Sequence, residues 1–229
     1  MTPPAARLAG RRLYLCTADR PDLIAFLASC IAGGVDIVQL RDKHLDARPL
    51  LERARLAAAV CRDHGVPFIL NDRPDLALEV GADGVHVGQD DAPPSLARRL
   101  LGPDAIVGFS THAPAELDAA AGETTVDYVS TGPVNATPTK PGRPGTGLDY
   151  LRYAAATVGD ARPWFVTGGV TPATVGGMVA AGAGRFVVVR WLTESDQPES
   201  AARALVEAID RAIGEARNVS RPADAPSSR

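Results

Sequence analysis

With 229 residues, 45% of them hydrophobic and 22% charged, the chain has the make-up of a globular protein with enough apolar material for a substantial core. Its formal charge of −3 argues against the basic excess of a nucleic-acid-binding surface, and no run approaches the roughly 18 consecutive apolar residues of a membrane span. Cys16, Cys30 and Cys61 are too widely spaced for a zinc or redox pattern and read as buried thiols, while residues 1–12 lack the apolar middle of a secretory signal, so a cytoplasmic location is expected.

Taken in chain order, residues 1–11 read as a flexible start. Eight short β-prone runs then alternate with longer Ala/Leu-rich segments: Leu13–Thr17, Val35–Arg41, Pro67–Asn71, Gly84–Val87, Ile106–Phe109, Tyr128–Thr131, Trp164–Thr167 and Arg185–Arg190. The intervening segments have helical periodicity. Leu50, Ala54, Ala57 and Cys61 fall on one stripe of Pro49–His64, and Ala202, Leu205, Ile209 and Ile213 do the same near the end. The strand runs are nearly continuous in apolar residues, the pattern of parallel strands covered by helices. Eight such units predict a single (β/α)8 TIM barrel over residues 12–216, followed by a disordered tail at 217–229. A doubly wound open sheet is the alternative architecture.

Barrel active sites form where strands end and βα loops begin, so the polar residues there are the candidate functional groups. Strand alternation sends Gln39, Arg41 and Lys43 to one side of the second strand's end, offering a forked guanidinium and a compact ammonium to phosphate oxygens. Asn71-Asp72 closes the third strand and Asp90-Asp91 follows the fourth, which brings carboxylates near these cations and points to Mg2+. Asp72 before Pro74 and Asp91 before Pro93-Pro94 are also plausible helix caps. His86, between Val85 and Val87, reads as a hydrogen-bonded core histidine rather than a base. Ser110 closes the fifth strand outside any nucleophile-elbow motif and reads as a phosphate donor.

A long patternless loop follows the sixth strand and carries Asn135, Thr137, Thr139 and Lys140; it is suited to closing over a charged ligand. Thr167-Gly168-Gly169 ends the seventh strand ahead of a Thr171-Pro172 helix-start signal, and the eighth ends near Val189-Arg190. Glycine backbone at the seventh and eighth loops is a recurrent phosphate site in barrels. Two anion sites result, and two phosphorylated small molecules are implied.

At this point the chain resembles the thiamine-phosphate synthase family across about residues 12–215. The resemblance is carried by Gln39-Leu40-Arg41-Asp42-Lys43, Asn71-Asp72, the run from Gly81 to Asp91, Gly108-Phe109-Ser110, Gly132-Pro133 with Thr137-Pro138-Thr139-Lys140, and Gly168-Gly169. It implies a transferase of thiamine biosynthesis that joins 4-amino-2-methyl-5-hydroxymethylpyrimidine diphosphate to hydroxyethyl-thiazole phosphate, or its carboxylated form, through a dissociative pyrimidine cation. It further implies Gln39, Arg41, Lys43, Asn71, Ser110 and Lys140 on the pyrimidine diphosphate, Arg41, Lys43, Ser110 and Lys140 acting on the leaving group, and Asp72 and Asp91 on Mg2+. Thr137, Thr139, Gly169, Val189 and Arg190 are then implied on the thiazole phosphate. Asn135 stands where many members carry an aromatic, and Arg190 where serine is common. The expected partners are the two small-molecule substrates, with no nucleic acid and no membrane; a homo-oligomer is left open. The nearest alternative is a thiazole tautomerase, against which the retained diphosphate apparatus weighs; the other is a non-catalytic precursor sensor.

Overall fold

The computed structural model describes residues 3–136 and 144–219. Eight strands, β1 Leu13–Thr17, β2 Ile37–Leu40, β3 Phe68–Asn71, β4 Gly84–Val87, β5 Ile106–Thr111, β6 Tyr128–Thr131, β7 Trp164–Val166 and β8 Phe186–Val188, pair in sequence order and close into a barrel. Every pairing is parallel, including the closing pair of β1 with β8. The (β/α)8 barrel expected from the apolar runs is therefore present, and the open sheet is excluded by the β1–β8 contact.

The continuous hydrophobicity of the strands has a simple cause, since each is buried on both sides. One face meets the surrounding helices, where Leu15, Val38, Leu40, Val85, Val87 and Val129 join the helix stripes. The other fills the barrel interior with Tyr14, Ile37, Ile69, Ile106, Tyr128 and Phe165. Among the helices, α3 Ala47–Asp63 buries Leu50, Ala54, Ala57 and Cys61, the stripe its periodicity predicts. The C-terminal helix, α10 Pro198–Val219, buries Ala202, Leu205, Ile209 and Ala212, leaving Ile213 only partly covered. All three cysteines are buried and none is in a disulfide.

Several boundaries differ from the sequence reading. The start of the chain, expected to be loose, forms a short helix, α1 Pro4–Leu8, whose fully buried Leu8 joins the interior cluster and plugs the end of the barrel opposite the strand termini. Arg7 anchors this plug on the Asp83 carboxylate at 2.8 Å, and Arg11 donates to the carbonyls of Asp36 and Gly65. At the other terminus, α10 continues through residue 219, so the first part of the expected tail is helical; 220–229 lie outside the described residues. Strand β5 runs two residues past Phe109 because Ser110 and Thr111 pair with Ser130 and Thr131. Arg190 does not end β8 but opens a separate four-residue helix, α9 Arg190–Thr193. The Thr171-Pro172 signal marks a turn rather than a helix start: α8 Val175–Ala180 begins later, and Thr174 Oγ1 accepts from Thr171 N and donates to Gly169 O. Among the described residues, no helix is long and apolar enough to cross a membrane.

Candidate active site

The C-terminal ends of the strands surround a pocket of about 900 Å³, counting its open rim, lined by Gln39, Arg41, Asn71, His86, Ser110, Gly168, Gly169, Val189 and Arg190. Residues expected to act from β2, β3, β5, β7 and the turn after β8 thus converge on one space. Thr137, Thr139 and Lys140 lie outside the described residues, although the loop's two ends, at Asn135 and Gly145, meet beside the pocket.

Gln39 is buried inside the barrel, while Arg41, one residue past the end of β2, is half-buried at the pocket wall. Lys43 turns to the adjacent strand end, where its Nζ lies 3.0 Å from Asp72 Oδ2. Asp72 adopts φ 60°, a left-handed conformation uncommon outside glycine, Asn and Asp. Its amide bonds His86 O at 2.8 Å, which fixes the bend directly beyond the β3–β4 register pair of Asn71 and His86.

The bend brings the Asp72 carboxyl within hydrogen-bond reach of Asp91, whose own Oδ2 accepts from Gly88 N at 2.8 Å. Burial, then the Asp91 carboxyl, push Asp72 up from the usual carboxylate range against the opposing pull of Lys43. Two neighbouring carboxyls, one of them paired with a half-exposed lysine, offer oxygen donors that suit a hard divalent cation. Neither aspartate caps a helix. The N-caps are Arg73 for α4 Pro74–Val80 and Pro93 for α5 Pro94–Leu101, without side-chain cap bonds, so the alternative capping role drops out. Among the described residues no group of three or more His, Cys, Asp or Glu side chains gathers around a common point; any metal here would take its remaining ligands from water and substrate oxygens, as Mg2+ commonly does.

Across the pocket, Gly168 and Gly169 have φ of 95° and 77°. A Cβ on Gly168 would fall 2.6 Å from both Pro133 Cβ and Val134 N, and one on Gly169 would fall 2.8 Å from Asn135 Nδ2. Only glycine lets the β7 loop pass this close to the β6 loop. Asn135 donates from Nδ2 to Gly168 O at 3.4 Å. Val189 and the exposed Arg190 complete this side at the start of α9, the position where barrels place a short extra helix against phosphate.

His86 is the hydrogen-bonded interior histidine its flanking valines predict. Its Nδ1 lies 2.9 Å from Tyr128 Oη and its Nε2 2.9 Å from Ser110 Oγ. Ser110 is buried yet lines the pocket. Thr167 lines it beside the two glycines, and Tyr14, Cys16, Ser130 and Trp191, which escaped the sequence reading as site residues, line it too. The signal of Tyr14, Cys16 and Ser130 is weak because aromatic, thiol and small hydroxyl residues inside strands look like core, while Trp191 sits in the short α9.

These features define a class: a single (β/α)8 barrel with a pocket at the strand ends that carries Gln39, Arg41, Asn71 and Ser110 on one side and a glycine loop on the other, with a lysine-linked carboxylate pair at the neighbouring strand ends. Residues 13–192 match the family described as thiamine monophosphate synthase. The chain is 48% identical over 209 residues to the thiamine-phosphate synthase of Streptomyces avermitilis, covering 90% of this chain and 97% of that protein. With the Thermus thermophilus thiamine-phosphate synthase the identity is 50% over 203 residues, 86% of this chain and 97% of that one. The solved thiamine phosphate pyrophosphorylase from Pyrococcus furiosus superposes with a TM-score of 0.80 at 25% identity, covering 92% of this chain and 99% of that one. The chain belongs to the thiamine-phosphate synthase family, and with it to the transferases of thiamine biosynthesis that act on small molecules.

Proposed function

We propose that this protein joins 4-amino-2-methyl-5-hydroxymethylpyrimidine diphosphate to hydroxyethyl-thiazole phosphate, or its carboxylated form, releasing diphosphate and thiamine phosphate in the cytoplasm. The observation that carries this reading is the gathering at one barrel mouth of two unlike sets of groups: Gln39, Arg41, Asn71 and Ser110 in the pocket wall with the Lys43–Asp72 ion pair at the neighbouring strand end, and the Gly168-Gly169 turn with Val189 and Arg190 on the other side.

On this reading the pyrimidine diphosphate lies against Gln39, Arg41, Lys43, Asn71 and Ser110, and Lys140, outside the described residues, is assigned to it as well. Asp72 and Asp91 would hold Mg2+, which supplies positive charge to the diphosphate oxygens as negative charge accumulates there. The C–O bond breaks with both electrons leaving on the diphosphate, and the 4-amino group of the ring stabilises the resulting methylene cation. Arg41, Lys43, Ser110 and Lys140 act where charge grows in the transition state, which is the condition for raising kcat rather than merely tightening binding. The thiazole nitrogen then forms the new C–N bond with its lone pair. Its phosphate is held by Thr137, Thr139, Gly169 and the backbone at Val189 and Arg190, and this anchoring supplies the proximity that capture of a short-lived cation requires. No general base is needed.

Lys140→Ala tests the assignment of the leaving group. It should slow diphosphate release at least a hundredfold, as expected for losing one charge-stabilising donor, while the thiazole phosphate dissociation constant changes less than about twofold. Equal losses in both would remove Lys140 from the leaving group.

A further inference from the structure

Inside the barrel, a continuous line of polar atoms joins Gln39 to Ser110, two residues the chemistry above uses, through Tyr14, Tyr128 and His86, which it does not. Gln39 Nε2 lies 2.6 Å from Tyr14 Oη, Tyr14 Oη 2.9 Å from Tyr128 Oη, Tyr128 Oη 2.9 Å from His86 Nδ1, and His86 Nε2 2.9 Å from Ser110 Oγ. All five residues are buried. Gly108 makes the room: a Cβ there would overlap the Tyr128 hydroxyl end and come 2.5 Å from His86 Nδ1. The His86 and Tyr128 rings stack with centroids 5.4 Å apart.

The direction of each link follows from the orientation of the Gln39 amide. An amide nitrogen carries only hydrogens, and Gln39 presents its nitrogen to Tyr14 while its Oε1 accepts from Cys16 Sγ at 3.3 Å. Tyr14 must therefore accept from Gln39 and spend its single hydrogen on Tyr128. Burial pushes both phenols up from their ordinary range, so each keeps its proton. Tyr128, having accepted, donates to His86 Nδ1, which must be a bare lone pair. A reversed link would bury a hydroxyl hydrogen without an acceptor, at the cost of a buried unmade hydrogen bond.

We propose that Gln39, Tyr14 and Tyr128 form a one-way relay that holds His86 as the neutral Nε2–H tautomer and so turns the Ser110 hydroxyl hydrogen out of the barrel, toward a phosphate oxygen of the ligand. His86 Nε2–H donates to one lone pair of Ser110 Oγ at 2.9 Å in preference to the more distant Ser130 Oγ at 3.5 Å, and Ser130 Oγ donates to the other at 3.4 Å. With both lone pairs occupied, the remaining hydrogen points to the pocket. Tyr14, Tyr128 and His86 are positioning residues acting through Ser110, whose assignment to the pyrimidine diphosphate rests on the proposed function.

The test reads the tautomer in the full-length, ligand-free protein by long-range proton–nitrogen NMR with 15N-histidine, the His86 signals being those lost in His86→Gln. A protonated Nε2 and bare Nδ1 are expected. Gln39→Glu, whose ionised carboxylate only accepts, should reverse the chain and move the proton to Nδ1. If that variant does not fold, Tyr128→Phe carries the test: it removes the donor to Nδ1 and should give a mixture of tautomers. Wild-type His86 protonated on Nδ1 or on both nitrogens, or a pattern unmoved by these changes, would overturn the relay. In turnover, Tyr128→Phe should lower kcat/KM for the pyrimidine diphosphate about tenfold, the worth of one misdirected hydrogen bond, and leave the thiazole KM within about twofold; equal effects on both would mean a merely structural role. The NMR arm needs no substrate. The expected tautomer in a protein without synthase activity would uphold the relay and sink the synthase reading instead.

Discussion

Replacing Asp72 with Asn removes one charge from the carboxyl pair while keeping its shape and its tolerance of φ 60°. Two carboxylates in contact repel by about 4 kcal/mol at an effective dielectric of 20. Lys43, at 3.0 Å but with its side chain 49% exposed, offsets much of this without cancelling it. Burial adds to the penalty, so the ionised Asp72 should cost the metal-free fold on the order of 1 kcal/mol. Asp72→Asn should therefore raise the melting temperature in EDTA by about 2–4 °C for a chain of this size. Wild type, in contrast, should gain about 2.7 kcal/mol when Mg2+ with inorganic diphosphate is present at a hundredfold its dissociation constant, and the variant should gain little, so the order of stability reverses. Because the folded protein holds the Asp72 pKa above its unfolded value, the penalty exists above that folded pKa and fades as pH falls through it. The gap in EDTA should therefore close on acidification. Thermal unfolding of both proteins in both conditions is the assay, and a variant that is less stable in EDTA, or that keeps the wild-type response to Mg2+ with diphosphate, would refute the reasoning.

Truncating the barrel plug, Leu8→Ala, should cost roughly 2–5 kcal/mol in chemical denaturation because the side chain is fully buried among interior residues; kcat at a temperature where the variant is folded should be unchanged, since the plug lies at the opposite end from the pocket. Gly168→Ala combines a left-handed φ of 95° with a Cβ 2.6 Å from Pro133. It should lose about 1–3 kcal/mol of stability and raise KM for the thiazole phosphate at least tenfold, a result contradicted by wild-type kinetics. Arg190→Ala should weaken thiazole phosphate binding roughly three- to tenfold by calorimetry, the worth of one exposed charge-assisted contact, with pyrimidine diphosphate binding unaltered.

The barrel was legible because parallel strands covered on both faces read as apolar runs, and eight runs alternating with helical stripes leave little choice of closure. Sites at strand ends were legible for the same reason: once Gln39, Asn71, Ser110 and Gly168 are placed on strands, the topology brings them together. What escaped depends on tertiary contact rather than local pattern. The five residues of α1 are too few to show a period and gain their order from Leu8 filling the barrel. The left-handed bend at Asp72, which takes it away from capping and toward Asp91, leaves no trace in residue types. Tyr14 and Tyr128 are 114 residues apart, and only barrel closure and packing make them neighbours. Strand alternation put Gln39, Arg41 and Lys43 on one side, but β2 ends at Leu40, which frees Lys43 to turn to Asp72.

The most direct test of the central claim is to incubate the purified protein with the pyrimidine diphosphate, the thiazole phosphate and Mg2+, following diphosphate and thiamine phosphate in the same reaction beside a variant carrying both Asp72→Ala and Asp91→Ala. The account predicts equimolar appearance of both products, abolished by EDTA and by the double substitution. Thiazole phosphate binding without either product, or turnover that survives loss of both aspartates, would contradict it.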